Sequence, residues 1–319
     1  MFKFPRSPAL ALQSLRFYLT SRPKTTVQLV SELRKLTNAP IMKARQALTE
    51  TSNDFDAALK WLEQDLLASG AAKAEKIKDR QASEGLIGIN ADNSSATTQK
   101  AAIIELNCES DFVSRTDEFV RLAADIAQTV SKIPKSVSEG AFSAVDLATL
   151  LESPLVSTHK SGATVQSSIT DLIARIGENI TLRRAALLSP PASPEFRISS
   201  YLHNPIPNFT SLGRIGTIAL FSYRSPRLAE LLKEDAFLTD AEKLERAICR
   251  QIVGCNAHSV RDVEADEETV LYKQQFAMLG GEQSGLPVRQ VMDEWQKQKG
   301  LDGFEVEEFL RWEVGQSSR

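Results

Sequence analysis

The strongest constraint on the fold is a largely apolar run at residues 101–106 that is followed, after a short connection, by an amphipathic helix. The run Ala-Ala-Ile-Ile-Glu-Leu is typical of a buried β-strand, which has few polar positions. From Phe119 to Val130 apolar residues recur at i, i+3, i+4 and i+7, which predicts a helix over 117–130 with one buried face. The chain must therefore turn sharply between these two elements, within Asn107-Cys108-Glu109-Ser110-Asp111-Phe112-Val113.

An acid and an aromatic ring, Asp111 and Phe112, lie side by side in this connection. Loops held by a rigid scaffold often carry function, so one interpretation is that the pair enters a pocket of another protein. The alternative is that Phe112 begins the buried face of the helix, because it precedes Phe119 by seven residues. From the residues alone, the second interpretation is favoured.

The N-terminal residues are typical of an organelle transit peptide. Five basic residues precede the first acid, Glu32, and they alternate with apolar and serine residues: Lys3, Arg6, Arg16, Arg22 and Lys24. Basic, serine-containing and acid-free segments of this kind direct proteins to organelles and are removed. We therefore expect residues 1–22 to be a transit peptide that forms no part of the fold. The alternative is an unstructured basic tail.

Charge and composition narrow the class of partner. The formal net charge is −3, and removal of residues 1–22 takes away four positive charges and no negative one, which leaves −7. An acidic protein is poorly suited to follow a phosphate backbone, so we expect a protein or small-molecule partner and no direct nucleic acid. No apolar run approaches the roughly 20 residues that span a bilayer, and no membrane partner is expected. Three cysteines and three scattered histidines give neither a disulfide framework nor a zinc spacing.

The order of predicted elements indicates an α+β fold. Residues 25–67 read as a three-helix module, too small for a large core and therefore suited to partner docking, and residues 68–83 as a linker helix. Residues 84–188 and 195–319 read as two similar subdomains, each with antiparallel strands and helices, the second with a C-terminal element. A long helix is expected within the second subdomain, near 263–279.

Several sites can be weighed from residue types alone. The chain has neither the glycine-lysine loop of P-loop nucleotide-binding proteins nor a dinucleotide fingerprint. Cys108 lacks a nearby histidine base, and its neighbours Glu109 and Asp111 should raise the pKa of its thiol, so a structural role is expected. Glu105, Glu109 and Asp111 form an acidic cluster that would suit acid–base catalysis only if two of the carboxylates face each other across a cleft.

Several separated segments, in the same order along the chain, resemble elongation factor Ts in its mitochondrial form. They are Leu36-Thr37-Asn38-Ala39, the segment 107–113, Ile176-Gly177-Glu178-Asn179-Ile180 with Arg183-Arg184, Tyr201-x-His203 with Gly213-Arg214-Ile215-Gly216, and Arg311-Trp312-Glu313-Val314-Gly315. Ser110 stands where the family has threonine, and about ten residues are inserted near 204–212.

The resemblance implies guanine-nucleotide exchange on elongation factor Tu in the mitochondrial matrix, with no cofactor and no covalent chemistry, so not an enzyme. It implies that Ser110, Asp111, Phe112 and Val113 disturb the Mg²⁺ site of that GTPase.

The resemblance also assigns partner contacts to Arg45, Ile176, Gly177 and His203, and a ubiquitin-associated-like fold to the N-terminal module. For Ile176 and Gly177 the alternative is packing and a helix C-cap. For the whole chain, the alternatives are a non-catalytic adaptor that binds through the helical module and an enzyme that uses the acidic cluster.

Overall fold

A computed structural model describes residues 24–37, 39–92, 100–134, 140–157, 162–262, 264, 266–279 and 285–316. The expected transit peptide, residues 1–22, lies outside the described residues. The described residues divide into two compact units, the first ending at Asp65 and the second beginning at Leu66.

The first unit contains the predicted helices, which are α1 (Thr26–Thr37), α2 (Ile41–Glu50) and the beginning of α3 (Phe55–Ile77). Asp54 starts α3, because its side chain accepts a hydrogen bond from the backbone N–H of Ala57 at 2.9 Å. The inner faces pack Leu33, Ala44 and Leu48 into one small apolar core. The three-helix prediction is therefore confirmed for the described residues.

The expected boundary between the third helix and a linker helix at residues 67 and 68 does not exist in the structure. The helix α3 continues without a break to Ile77, and residues 78–83 are not helical. Residues 68–77 are rich in alanine and contain no proline, so the helix continues through them despite Gly70.

The second unit begins with the rest of α3 and continues through a first group of strands and helices. In order these are β1 (Glu84–Asp92), β2 (Lys100–Cys108), α4 (Asp111–Ser114), α5 (Asp117–Ser131), β3 (Phe142–Ala144), α6 (Leu147–Glu152), α7 (Val165–Ile176) and β4 (Thr181–Leu188). A second group follows: β5 (Phe196–His203), β6 (Leu212–Gly213), β7 (Ile215–Arg224), α8 (Leu228–Leu231), α9 (Asp235–Gly254), α10 (Val288–Lys299) and β8 (Gly303–Glu313).

Two antiparallel sheets organise this unit, in agreement with the predicted α+β class. The strand order is β3-β4-β2-β1-β6 in the larger sheet and β5-β7-β8 in the smaller one. The short strand β6 thus joins the sheet of the preceding half, although its residues follow position 195. The cause is the insertion after β5, which returns the chain so that Gly213 pairs with Ile87 of β1.

The strand β2 is the rigid centre of the unit, because both of its faces are buried. Ala102, Ile104 and Leu106 face the helices α5 and α7 in one apolar layer, which we call the first core. Ala101 and Ile103 face the smaller sheet in a second layer. A strand that is buried on both sides gives a firm base to the connection that follows it.

The long helix expected near 263–279 is wrong. The described residues of this range form two short 3₁₀ turns, Glu267–Thr269 and Leu271–Lys273. The Gln274 side chain donates hydrogen bonds to the carbonyls of Cys255 at 3.1 Å and Glu268 at 2.7 Å, and Val270 bridges to Ser259. These contacts with the end of α9 replace the backbone bonds of a helix.

Candidate functional site

The connection after β2 presents Phe112 to solvent. Its side chain is 77% exposed, whereas the next residue, Val113, is 3% exposed and packs into the core. Among the described residues of the second unit, Phe112 is the one large apolar side chain that is mostly exposed. Connections that are positioned by a rigid scaffold often carry binding residues, so the exposed ring marks this connection as a candidate contact site. We call Ser110, Asp111, Phe112 and Val113 the tip.

The interpretation that Phe112 begins the buried face of the helix is therefore wrong. The helix breaks between α4 and α5 at Thr116, whose backbone is extended (φ −70°, ψ 142°) and whose side chain caps α5 by accepting from the N–H of Phe119. Seven-residue spacing places two side chains on one face only within a continuous helix. The break rotates Phe112 away from the face that buries Phe119.

The tip is a single helical turn fixed by side-chain hydrogen bonds. Ser110 has an extended backbone (φ −119°, ψ 151°), and its Oγ accepts from the N–H of Val113 at 3.3 Å. At the other end the Ser114 hydroxyl donates to the carbonyl of Asp111 at 2.7 Å. The turn therefore holds Asp111 and Phe112 at its first two positions, where both face outward.

Asp111 is exposed and only weakly held. Its carboxylate lies 3.3 Å from the guanidinium of Arg115, one turn further along, and both side chains are more than half exposed. Exposed ion pairs contribute about 0–1 kcal/mol. The carboxylate of Asp111 can therefore exchange Arg115 for another partner at little cost.

The segment 176–179 lies directly against the tip. Gly177 ends α7 in the left-handed region (φ 82°), and Ile176 is half-buried against the first core. The C-cap and packing roles of these two residues are thus confirmed, while their partner contacts stay predictions. The next residue, Glu178, accepts hydrogen bonds from the backbone N–H of Ser110 at 3.0 Å and from its hydroxyl at 2.6 Å.

Glu178 and its neighbour Asn179 are site residues that sequence reasoning missed. The backbone N–H of Asn179 donates to the carboxylate of Glu109 at 2.7 Å, so each segment supplies an acceptor to the other. The signal available in the sequence is that Glu178 and Asn179 lie in the segment 176–180 of the resemblance. Their separation of about 70 residues from Glu109 and Ser110 hid the contact.

His203 lies on an open groove that extends to Arg115, the residue that follows α4. The groove, of about 770 Å³, is lined among others by His203, Arg115, Arg214 and residues 204–209. The histidine ends β5, which pairs with β7 without a break as far as His203 and Ile215, so the insertion begins only after this pairing ends. The inserted residues close on themselves through a hydrogen bond from Ile206 N–H to the carbonyl of Leu212 at 3.0 Å.

Arg45 belongs to the first unit, where it lies exposed on α2. Ile41 and Met42 precede it by four and three residues and are 52% and 73% exposed. Side chains at these spacings are neighbours on one helix face. Exposed methionine, isoleucine and arginine together are typical of a surface that binds another protein.

The acidic cluster does not converge on one cleft. Glu105 is fully buried and lies 2.6 Å from Arg184. Glu109 contacts Asn179 and Arg80, and Asp111 faces solvent beside Arg115. Two opposed carboxylates, as acid–base chemistry needs, are not formed by these three residues.

Cys108 has the properties of a structural thiol. Its side chain is buried, and burial, followed by the charges of Glu178 and Glu84, raises the pKa of the thiol to about 12. The expected direction is thus correct, but the acids responsible are not the sequence neighbours Glu109 and Asp111. These neighbours point away because the chain turns immediately after β2.

We predict that Cys108 resists alkylation. With a pKa near 12, only about one thiol in 10⁴ is ionised at pH 8. Cys249 is also buried with a pKa of about 12, whereas Cys255 is half-buried. Burial raises the pKa of the Cys255 thiol as well, but its side chain is partly exposed, so treatment of the native chain with iodoacetamide should label Cys255 faster than the other two, as read by peptide mass spectrometry. Rapid labelling of Cys108 would instead reveal a reactive thiolate beside the tip.

The described residues contain no group of three histidine, cysteine or acidic side chains that would hold a metal ion. The helices described for this chain likewise include none with the length and apolar character that crossing a membrane requires.

Comparison with known proteins defines the class of the chain and then its family. The family model described as Elongation factor TS matches residues 109–287, which include the tip and its neighbouring segment. The chain is 41% identical to the mitochondrial elongation factor Ts of Coprinopsis cinerea, over 97% of each chain. It is 40% identical to that of Laccaria bicolor (95% of this chain, 96% of the relative) and 32% identical to elongation factor Ts of Agrobacterium fabrum (82% and 73%). The protein is thus a translation elongation factor. It belongs to the elongation factor Ts family.

The resemblance seen in the separated segments is thereby confirmed. The mitochondrial assignment is supported as well, because the fungal relatives are named as mitochondrial factors.

Proposed function

We propose that the protein is a guanine-nucleotide exchange factor for elongation factor Tu in the mitochondrial matrix. The observation that carries the proposal is the exposure of Phe112 at the end of a strand that is buried on both faces. Because hydrogen bonds fix the turn that carries the ring, little backbone freedom is lost when the ring enters a partner, and more of its binding energy is available to displace groups there.

The target of the tip is the Mg²⁺ and phosphate site of the GTPase. Mg²⁺ demands near-ideal octahedral oxygen coordination, so a small shift of the groups around it weakens nucleotide binding. The Phe112 ring would separate partner side chains, and the Asp111 carboxylate, released from Arg115, would compete for polar contacts. The factor itself binds no nucleotide and makes no covalent bond, and therefore acts without enzymatic chemistry or a cofactor.

The affinities of the GTPase for GDP and for the exchange factor are thermodynamically coupled. If it weakens GDP binding, then GDP must weaken binding of the factor by the same ratio. A coupling of about 4 kcal/mol corresponds to roughly a thousandfold change in affinity. Rebinding of GTP would then release the factor for another cycle.

The direct test is release of fluorescent GDP from elongation factor Tu after a chase with excess unlabelled nucleotide. Addition of the full chain should raise the release rate, and the rate should saturate as the concentration of the factor increases. An unchanged rate at concentrations where a complex is detected by calorimetry would contradict the proposal.

An adaptor remains the second candidate, because the first unit also exposes apolar side chains. They are Val27, Leu36, Ile41 and Met42. A binding module with such a surface could act without any effect on nucleotide. The adaptor hypothesis therefore predicts complex formation with no acceleration of GDP release, which the same pair of measurements distinguishes.

We predict that Arg45→Glu weakens docking and leaves the maximal rate unchanged. Arg45 lies on the exposed α2 face, away from the tip in sequence and outside the second unit. Reversal of a charge at an interface changes mainly the association step and its salt dependence. The concentration for half-maximal GDP release should rise about tenfold, or ~1.4 kcal/mol.

The matched control for Arg45 is Lys60→Glu, a reversal of the same charge on the exposed side of α3. It should leave the half-maximal concentration within about twofold. An equal rise for the two variants would show that only net charge matters, and no rise for Arg45→Glu would remove this residue from the interface.

A further inference from the structure

We propose that Glu178 is a positioning residue for nucleotide exchange, which holds the tip in its active geometry through contacts that we call the clasp. The clasp consists of the Glu178 contacts with Ser110 and the Glu109 contact with Asn179. Its effect on nucleotide release rests on the proposed function, whereas its effect on the free chain does not.

The clasp is reciprocal. One oxygen of Glu178 accepts from the backbone N–H of Ser110 at 3.0 Å, and the other accepts from the Ser110 hydroxyl at 2.6 Å. In return, the carboxylate of Glu109 accepts from the backbone N–H of Asn179 at 2.7 Å. Hydrogen bonds to an ionised carboxylate are stronger than neutral ones, and the use of both oxygens of Glu178 on one residue fixes its orientation.

The clasp acts on the tip through the hydroxyl of Ser110. This hydroxyl donates its proton to Glu178 and at the same time accepts from the N–H of Val113, the bond that starts α4. Because the hydroxyl proton of Ser110 is used in the bond to Glu178, a lone pair of the same oxygen points toward Val113 and accepts from its backbone N–H. A helix of four residues has no stability of its own, so this cap must be supplied from outside the turn.

The other side of the clasp is anchored in the core. Glu178 follows the left-handed Gly177 that ends α7, a helix whose inner face is buried. Asn179 is buried as well, and its side-chain amide donates to the carbonyls of Lys78 at 3.1 Å and Arg80 at 2.8 Å. The tip is thus attached to a fixed point that is formed by two separate parts of the chain, the end of α7 with residues 177–179 and the segment 78–80.

The first experiment measures amide hydrogen exchange in the free full chain, without any partner. Glu178→Ala should lower the protection of the Ser110 and Val113 amides about tenfold. The control is Asp240→Ala, which removes a carboxylate that pairs with Lys299 at 2.6 Å elsewhere in the unit and should leave both amides unchanged. Unchanged protection in Glu178→Ala would overturn the proposal. If this variant unfolds, Glu178→Gln, which keeps the shape and loses the charge, gives the same comparison.

The second experiment is a double-mutant cycle on GDP release. In the natural background Glu178→Ala should reduce the efficiency of release about tenfold, whereas in a background with Asp111→Ala and Phe112→Ala it should change it by less than twofold. A residue that acts only by positioning these two side chains has no effect once both are gone. Equal factors in both backgrounds would overturn the positioning role.

The two experiments separate failure of the clasp from failure of the proposed function. If the unchanged chain does not accelerate GDP release, the exchange function is wrong, and the amide protection of Ser110 alone decides whether Glu178 holds the tip. If the chain accelerates release but protection is unchanged in the variant, the function stands and the clasp is wrong.

Discussion

The variant Phe112→Ala should lose most of its maximal acceleration of GDP release, roughly 10- to 100-fold, while its thermal stability stays unchanged. Burial of a phenylalanine side chain contributes about 1.5–3 kcal/mol, which corresponds to that range of rates if the ring is buried only when the nucleotide leaves. Because the ring is 77% exposed in the free chain, its removal takes away no core packing. The measurement is the saturating rate of fluorescent GDP release, together with a melting curve.

The adjacent residue, Val113, provides a control in which the expected effects on stability and on release rate are exchanged. Val113 is 3% exposed and packs in the first core, so Val113→Ala should lower the free energy of unfolding by about 1–3 kcal/mol. Val113 contributes its backbone N–H to the tip and its side chain to the core, so at a temperature where this variant is folded its maximal release rate should be close to that of the unchanged chain. If Phe112→Ala instead lowers the melting temperature and Val113→Ala lowers the rate, the assignment of ring to partner and valine to core is reversed.

The local elements could be predicted from the sequence because each has a periodic pattern of its own. The apolar run at 101–106 and the spacing from Phe119 to Val130 place β2 and α5 within a few residues of their observed bounds. The position of Phe112 could not be predicted in the same way. Its exposure depends on the extended backbone of Thr116, and a single capping residue leaves only a faint signal in a seven-residue pattern.

Long-range pairing is the part that local patterns do not determine. The strand β6 has two residues, and nothing in them indicates that they join the sheet of the preceding half. The turns at 267–273 are held by Gln274, whose partners are Cys255 and Glu268. The clasp likewise depends on side chains that are about 70 residues apart. In each case the decisive energy lies in a tertiary contact that overrides the local propensity.

Glu105 illustrates how the separated segments of the resemblance depend on one another. Its carboxylate is fully buried and accepts from the Nε of Arg184 at 2.6 Å and from the backbone N–H of Gly315 at 2.8 Å. The guanidinium of Arg184 in turn lies over the ring of Trp312, 4.4 Å from its centre. The strand that leads to the tip, the segment around 184 and the C-terminal segment are therefore joined by one buried charge.

We expect Glu105→Ala to be the most destabilising of the substitutions considered for this chain. It would leave the guanidinium of Arg184, whose side chain is 15% exposed, without its buried counter-charge. Breaking a buried ion pair from one side costs about 3–5 kcal/mol. For a unit of this size the melting temperature should fall by roughly 10 °C. The surface control is Glu242→Ala, whose carboxylate is 68% exposed and should contribute less than about 1 kcal/mol.

A paired substitution separates the loss of attraction from the burial of an uncompensated charge. In Glu105→Met with Arg184→Met both charges are absent, and apolar replacements of a buried pair are often neutral in stability. The double variant should therefore recover most of the stability that Glu105→Ala loses, as measured by urea unfolding. A double variant as unstable as the single one would show that the other contacts of Glu105, with Gly315, Asn107 and Arg183, outweigh the charge on Arg184 in the scaffold behind the tip.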